Sequence, residues 1–338
     1  MYDWAEFRHF RYLLAILEKQ GFRIAAEELH TSQPNLTVQA RQFQEHSSVR
    51  LFRKRKDGSI RPTETGVAFI EMARSLLEMK DEVIDALIAI ERGEISTIRL
   101  GCSPLVDQQL FSSLCTTHKA ILPTASVRPT HGDTMQLAEE IRTGAVDAAV
   151  ITLPLKDPNL HIEVLRRDRL VACLRKEDPL ASRAVLLPSD LQTHLAILYD
   201  PQRHPDAHYR LLELLAQTGV SVEDFSRASH PSEMQMLVKE GYGIALIREG
   251  TRLDEELITR PIAGVDWTVD TAVVYHKQLR PKTVPLLVRK FKKDLNAGPC
   301  EHPSKKASTA SRRSSIPRNI ASNATTTSKT PVQMTLLR

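Results

Sequence analysis

At 338 residues, 41% of them apolar and 26% charged, the chain has material for two or three domains with cores of their own and the balance of an ordinary globular protein. Its four cysteines, Cys102, Cys115, Cys173 and Cys300, show no C-x-x-C spacing, which excludes a disulfide scaffold and suits a reducing compartment. "MYDWAEFRHF" carries Asp3, Glu6 and Arg8 where an export signal needs an apolar run, and no window approaches the roughly 18 uncharged apolar residues of a membrane span. The expected location is the cytoplasm, with no membrane partner.

Charge is uneven along the chain. Residues 1–61 hold 11 Lys/Arg against 7 Asp/Glu and residues 299–338 hold 7 against 1, whereas between them 28 face 33. Two basic ends flank an acidic body, so a polyanion partner is expected at an end of the chain.

In chain order, the first elements are helices. Phe7, Phe10, Leu14 and Leu17 share one helical face that Gly21 ends, and Ile24, Ala25, Ala26 and Leu29 make a second, shorter helix. A third starts at Ser32, whose hydroxyl can cap a free N–H, with Gln33 and Pro34 in the first turn, where proline costs no hydrogen bond. Projected at about 100° per residue, Leu36, Ala40 and Phe43 form its buried stripe. Pro34, Val38 and Arg41 face the other way, flanked by Thr37 and Gln42. A solvent face of Val, Arg and Thr without an acidic residue suits a helix lying in the DNA major groove, where arginine meets phosphate or guanine and a small apolar group meets a thymine methyl. A helical hairpin packed on another domain would show the same two helices. The segment that follows favours DNA binding, with a plain basic surface loop as its alternative: "LFRKRKDGSIRPT" places Arg53, Lys54, Arg55, Lys56 and Arg61 on a hairpin turning at Asp57-Gly58, as the basic wing of a winged helix would.

From Gly66 to Arg92 one long helix is predicted. Phe69, Ala73, Leu76, Lys80, Val83, Leu87 and Ile90 repeat at steps of four and three, beside a second stripe of Ile70, Leu77, Ile84 and Ile88. Such a seam calls for a partner helix, so dimerisation is expected through Phe69, Leu76, Lys80, Val83, Leu87 and Ile90, with Lys80 setting register.

Residues 97–295 alternate β-rich runs (97–103, 148–153, 169–174, 195–200, 243–247, 271–275) with amphipathic ones (108–120, 135–143, 207–218, 233–239), an α/β pattern with mainly parallel sheets. In such folds a ligand sits at strand C-terminal ends against helix N-termini. The loops at Ser103-Pro104, Thr130–Thr134 and Ser229–Glu233 qualify. They supply Ser103, Thr134 and Ser232 as hydroxyl donors, with Tyr199, His230 and Arg248 beside them, a set that favours a carboxylate or another small anion. No G-x-S-x-G, P-loop or G-x-G-x-x-G occurs, and the histidines suggest no metal site, so no enzyme activity, metal or cofactor is expected. Nothing conspicuously cationic lies near Cys102, and both Cys102 and Cys173 sit in apolar strands, which argues against a redox pair. After residue 298 the composition turns to Ser, Thr, Lys and Arg without aromatics, and 299–338 is expected to be a disordered basic tail.

"AAEELHTSQPNLTVQARQFQ" followed by "VRLFRKRKDGSIRPTETG" resembles the helix–turn–helix signature of the LysR-type transcriptional regulators, with its closing Leu-Phe, basic wing and Thr-x-x-Gly. Weaker echoes follow at "GAVDAAVI", "EDPLA" and "VKEGYGIALI", so the resemblance spans about residues 5–295. It implies a winged helix-turn-helix over 1–65, a linker and dimerisation helix over 66–93, and a two-lobed, periplasmic-binding-protein-like α/β effector domain over 94–298. Lobe one would comprise about 97–163 and 268–295, and lobe two about 164–267. It further implies double-stranded DNA, RNA polymerase and a small-molecule inducer between the lobes as partners, and homodimers assembling into homotetramers. The chain departs from the family pattern in three places: Val38 stands where Arg or Lys is usual, the wing is one residue longer, and Arg248 replaces the proline usual after "GIALI". The alternative from another class is an enzyme or small-molecule-binding protein with an incidental helical N-terminus.

Overall fold

The computed structural model describes residues 2–55 and 59–297; Lys56 and the Asp57-Gly58 turn of the wing, and the basic tail at 299–338, lie outside the described residues. Three helices open the chain, α1 (Phe7–Glu18), α2 (Phe22–Glu28) and α3 (Gln33–Ser47). The Glu6 N–H donates to His9 Nδ1 at 2.9 Å to start α1, and Ser32 Oγ accepts the Asn35 N–H at 3.3 Å to start α3, with Pro34 in the first turn as expected. Leu36, Ala40 and Phe43 are buried, and Phe43 packs edge-on against Trp4, Phe10 and Phe69.

Strands β1 (Phe52–Lys54) and β2 (Ile60–Pro62) pair antiparallel as the wing, with Arg53 opposite Arg61. The long helix α4 (Glu64–Glu91) begins at once. Its cap, Thr63, accepts the Gly66 N–H at 3.0 Å and donates its hydroxyl to the Arg50 carbonyl at 2.6 Å. A Cβ on Gly66 would lie 1.9 Å from the Leu51 carbonyl oxygen, a backbone atom that cannot swing aside. The Thr-x-x-Gly spacing is therefore the joint between wing and long helix.

The seam of α4 divides into parts. Phe69 and Ala73 are buried in the core of the N-terminal helices, so the expectation that Phe69 helps form a dimer seam is corrected: its ring stacks on Phe10 of its own chain. Leu76 and Lys80 are half-buried, while Val83, Leu87 and Ile90 are exposed. The face bearing Glu82, Ala86 and Ala89 turns toward the C-terminal half, where Glu82 meets Arg280 at 3.5 Å and Arg289 at 2.7 Å and Asp85 meets Lys282 at 3.2 Å.

The remaining strands are β3 (Thr97–Cys102), β4 (Ser126–His131), β5 (Ala148–Thr152), β6 (Leu160–Arg175), β7 (Leu195–Tyr199), β8 (Ser226–Ala228), β9 (Ile244–Arg248), β10 (Leu257–Arg260) and β11 (Thr268–His276). Helices α5 (Gln108–Ile121), α6 (Thr134–Arg142), α7 (Pro188–Leu191), α8 (Pro205–Gln217), α9 (Pro231–Glu240) and α10 (Val284–Asn296) join and cover them. The strand order is β4-β3-β5-β11-β6-β9-β7-β8, with β10 also on β6. Parallel pairs, β3 with β4 and β5 and β7 with β8 and β9, lie on the two flanks, each with crossover helices. Between them everything is antiparallel: β11 pairs with β5 and β6, and β6 pairs with β9 and β10. The expectation of mainly parallel sheets thus holds only outside the crossing. The β6–β11 ladder runs as far as Arg169 opposite Thr268, so β6 leaves the first lobe near 169 rather than 163.

Each lobe is cored on both faces of its sheet. One cluster lies under α5 and α10 and another under α6 in the first lobe; α8 and α9 cover the two faces of the second. Inside the first lobe, buried Asp147 of "GAVDAAVI" accepts the Arg99 backbone N–H at 2.7 Å and its guanidinium at 2.6 Å, which pins β3 beside β5. Cys102 and Cys173 sit in different clusters and are not a pair, and burial pushes both thiols up to about 12.

Burial also holds His118, His204 and His208 below the ordinary imidazole value, with Arg227 adding to the effect at His208. An unfolded chain takes up protons at these sites once pH falls below about 6.5, while the folded chain keeps them neutral, so protons favour unfolding. Stability is therefore full near neutrality and falls on acidification, by up to about 1.4 kcal/mol per histidine per pH unit. Melting temperature measured against pH should drop between about pH 6.5 and about pH 5.5; a flat profile across that window would contradict the burial of neutral imidazoles.

Candidate nucleic-acid interface and interlobe cleft

The helix–turn–helix presents one continuous face. Ser32, Gln33, Pro34 and Arg41 are exposed on α3, Val38 is 40% exposed between them, and Thr37 is half-buried with its hydroxyl donated to the Gln33 carbonyl at 2.9 Å. Thr37 therefore offers its methyl group more readily than its hydroxyl. The sequence expectation of a face without an acidic residue needs correcting, because Glu45 lies two turns beyond Val38 on the same side and meets Arg41 at 3.7 Å. Arg53, Arg55 and Arg61 are exposed on the wing and engage no carboxylate among the described residues, while Lys54 lies 5.5 Å over the Phe22 ring. An array of exposed guanidiniums without carboxylate partners among the described residues, beside a capped helix, is suited to phosphates flanking a groove.

In the C-terminal half, Ser103 directly follows β3 and is 1% exposed, and its Oγ has no hydrogen-bond partner among the described residues. Pro104 beside it is half-buried. Thr134 is buried in the first turn of α6. The two lobes are clasped nearby: Asp133 meets Arg203 at 2.7 Å, and His204 Nε2 donates to the Pro154 carbonyl at 2.9 Å. His204, the residue that caps α8, precedes His208 by four positions, but its backbone is not helical and its ring is spent on that carbonyl. Among the described residues no group of three ligand-type side chains could hold a metal.

Arg248, at the end of β9, faces inward. It lies 3.7 Å from Asp107, the cap of α5, and 3.9 Å from Asp168 of β6. Arg166 completes the ring, 3.3 Å from Asp107 and 2.8 Å from Asp168. Burial alone would raise the Asp107 carboxyl, but the Gln109 N–H and the Arg248 and Arg166 guanidiniums outweigh it and hold the group below the ordinary value. Arg248, expected beside a bound anion, is thus paired with carboxylates of this chain in an ion ring between lobes.

Not all of the expected ligand residues converge. His230 Nδ1 accepts the Ser232 N–H at 3.3 Å, so the two cap α9, and both are exposed; Ser232 borders a separate surface groove with Lys239 and Asp254. Tyr199 and Arg248 instead line a cavity of about 130 Å³, walled by Leu198, Leu211, Leu214 and Leu246 of the second lobe and by Leu105 and Leu153 of the first. Asp107, Asp133, Arg166, Asp168 and Arg203 were not expected here. Only the lobe-crossing strand β6, hidden by its charges, would have signalled the ring.

Among the described residues no helix is long and apolar enough to cross a membrane. The chain matches the family model for the LysR substrate binding domain over residues 91–295 and that for the bacterial regulatory helix-turn-helix proteins of the lysR family over 7–67. It is 23% identical to the HTH-type transcriptional regulator BudR of Raoultella terrigena, across 85% of this chain and all of that one. It is 29% identical to CatR of Pseudomonas putida, across 72% of this chain and 82% of the relative. Two solved structures share the fold. Full-length BenM, from Acinetobacter baylyi, has a TM-score of 0.53 at 22% identity, covering 89% of this chain and all of that one. Full-length CbnR, crystallised with its target DNA, has a TM-score of 0.52 at 20% identity, covering 86% of this chain and all of that one. With both domain models matched in order and the winged helix, long helix and two-lobed domain in place, the chain belongs to the LysR family of transcriptional regulators and is not an enzyme.

Proposed function

We propose that α3 enters the major groove of an operator, with Val38 and Thr37 against base edges and Ser32, Gln33, Pro34 and Arg41 along the groove wall. Arg53, Lys54, Arg55, Lys56 and Arg61 of the wing neutralise phosphates. The observation that carries this is the row of exposed wing cations, Arg53, Arg55 and Arg61, without carboxylate partners among the described residues, beside the Val38 face. Segments 1–65, 66–93 and 94–298 act as reader, linker and effector domain, and the chain works in the cytoplasm with RNA polymerase as the partner of the DNA-bound assembly.

Assembly runs through α4. Leu76, Lys80, Val83, Leu87 and Ile90 form the dimer seam, because Val83, Leu87 and Ile90 leave an apolar stripe exposed in the single chain. Pairs of such dimers make the tetramer. A small-molecule inducer sits between the lobes, its polar end at the unpartnered Ser103 hydroxyl and at Thr134 in the first turn of α6, where a free N–H end favours an anion.

Gel retardation on DNA upstream of the chain's own gene tests the reader. Arg53→Ala or Arg61→Ala should weaken all sequences alike and reduce the salt slope by about one, whereas Val38→Ala should relax preference at one base pair. An unchanged preferred site in Val38→Ala would remove the groove assignment. Light scattering tests the seam: Leu87→Asp should yield monomers, and a persisting dimer would contradict it.

A further inference from the structure

The first turn of α3 carries a polar side chain that no packing against its own chain explains. Asn35 is exposed and stands three residues before Val38, its neighbour on the outward face of the helix. Its amide is held in place. Thr31 donates its backbone N–H to the Ala26 carbonyl at 3.0 Å, which fixes the turn between α2 and α3, and its Oγ1 accepts one Nδ2–H of Asn35 at 3.0 Å. The Asn35 backbone N–H is occupied by Ser32 Oγ at 3.3 Å. These bonds leave Asn35 Oδ1 and the second Nδ2–H without a partner among the described residues.

One acceptor and one donor side by side on a planar amide match a single base edge of the major groove. Adenine presents an N6–H donor next to an N7 acceptor, whereas guanine presents two acceptors, cytosine a donor, and thymine an acceptor and a methyl group. Gln33 and Gln42 carry the same amide and are also exposed, but each has one more torsion to immobilise and no bond among the described residues that holds its side chain. Asn35 alone of the three is already oriented. Its place in the first turn is also where a recognition helix brings side chains to base edges.

We infer that Asn35 reads adenine through paired hydrogen bonds to N6 and N7, with Thr31 as the positioning residue that sets the angle of the amide. The inference rests on the groove assignment of α3 proposed above and adds to it a base that Val38 and Thr37 do not select. Side chains three apart on a helix leave it about 5–6 Å from each other, and base pairs stack about 3.4 Å apart, so Asn35 and Val38 fall on neighbouring pairs. The adenine of one pair therefore adjoins the pair whose thymine methyl meets Val38, and each half-site holds two consecutive A·T pairs.

The test uses the full chain and the upstream DNA, with each adenine of the protected stretch replaced in turn by 7-deazaadenine, which keeps base pairing and loses only the N7 acceptor. With the unaltered chain, one adenine in each half-site should be sensitive, its replacement weakening binding about fivefold or more. In Asn35→Ala, and in Asn35→Leu, which keeps the size of the amide, that adenine should become indifferent while the salt slope stays the same, because no phosphate contact is lost. Thr31→Val should cut the sensitivity at the same adenine about threefold and leave binding to unrelated DNA unchanged, a one-position effect that the loss of a purely structural bond does not produce. No sensitive adenine, an adenine equally sensitive in both Asn35 variants, or a weakening of all duplexes alike would overturn the assignment. If Val38→Ala still relaxes its own base pair, such a result removes Asn35 alone and leaves the groove reading standing; if Val38→Ala is also without effect, both fall.

Discussion

The ladder between β6 and β11 is the constraint on which the C-terminal half depends. Leu160 pairs with His276 at one end and Arg169 with Thr268 at the other, after which β6 continues alone into the second sheet to pair with β9 and β10. Two lobes that share a strand cannot move as free bodies; they can only flex about the place where the ladder ends. A slip of one residue along it would send every side chain to the opposite face and so into the wrong core, so the register is held from two sides. The ion ring sits at this end. Arg166 and Asp168 are carried by β6, Asp107 comes from the first lobe and Arg248 from the second. Arg248 and Asp168 are each 15% exposed, and removing one member of so sheltered a set leaves a charge without its partner.

The other end of the same ladder reaches the long helix. β11 places Tyr275 under the Arg280 guanidinium, 5.3 Å from the ring centroid, and stacks it on His161 of β6. Arg280 and Arg289 then hold Glu82 of α4, and Lys282 holds Asp85 one turn on. Cleft, ladder and linker helix are thus joined by one run of contacts. At the far end of α4, Phe69 is fixed among Phe10 and Phe43 of the DNA-binding helices. A regulator of this family needs its effector domain to bias its reader, and here a packed element carries every step between them.

The sequence made the DNA-binding half legible because its signals are local. Caps, turn residues and a 3.6-residue period lie within a few positions of one another, and Ser32, Pro34, Thr63 and Gly66 occupy the places their chemistry demands. Glu45 was overlooked only because it falls one turn past the stretch projected. In the larger half the parallel flanks were legible as apolar runs. The first half of β6 was not, since Glu163, Arg166, Arg167 and Asp168 find partners across lobes and strands, and such partners are invisible in a linear chain. Pro129 hid β4, which tolerates it as an edge strand. Arg248 and Tyr199 line the cavity between the lobes, whereas His230 and Ser232 illustrate the limit: a residue that caps a helix looks the same in sequence as one that waits for a ligand.

A double-mutant cycle on affinity for the upstream DNA tests the coupling through the ladder most directly, using Arg248→Met in the ion ring and Glu82→Gln on the linker helix. The two side chains have no partner in common, so independent sites would give effects that add to within about twofold. If the ladder joins cleft to linker, the double variant should depart from additivity by about fivefold or more. Simple additivity, with both single variants folded and dimeric, would contradict it.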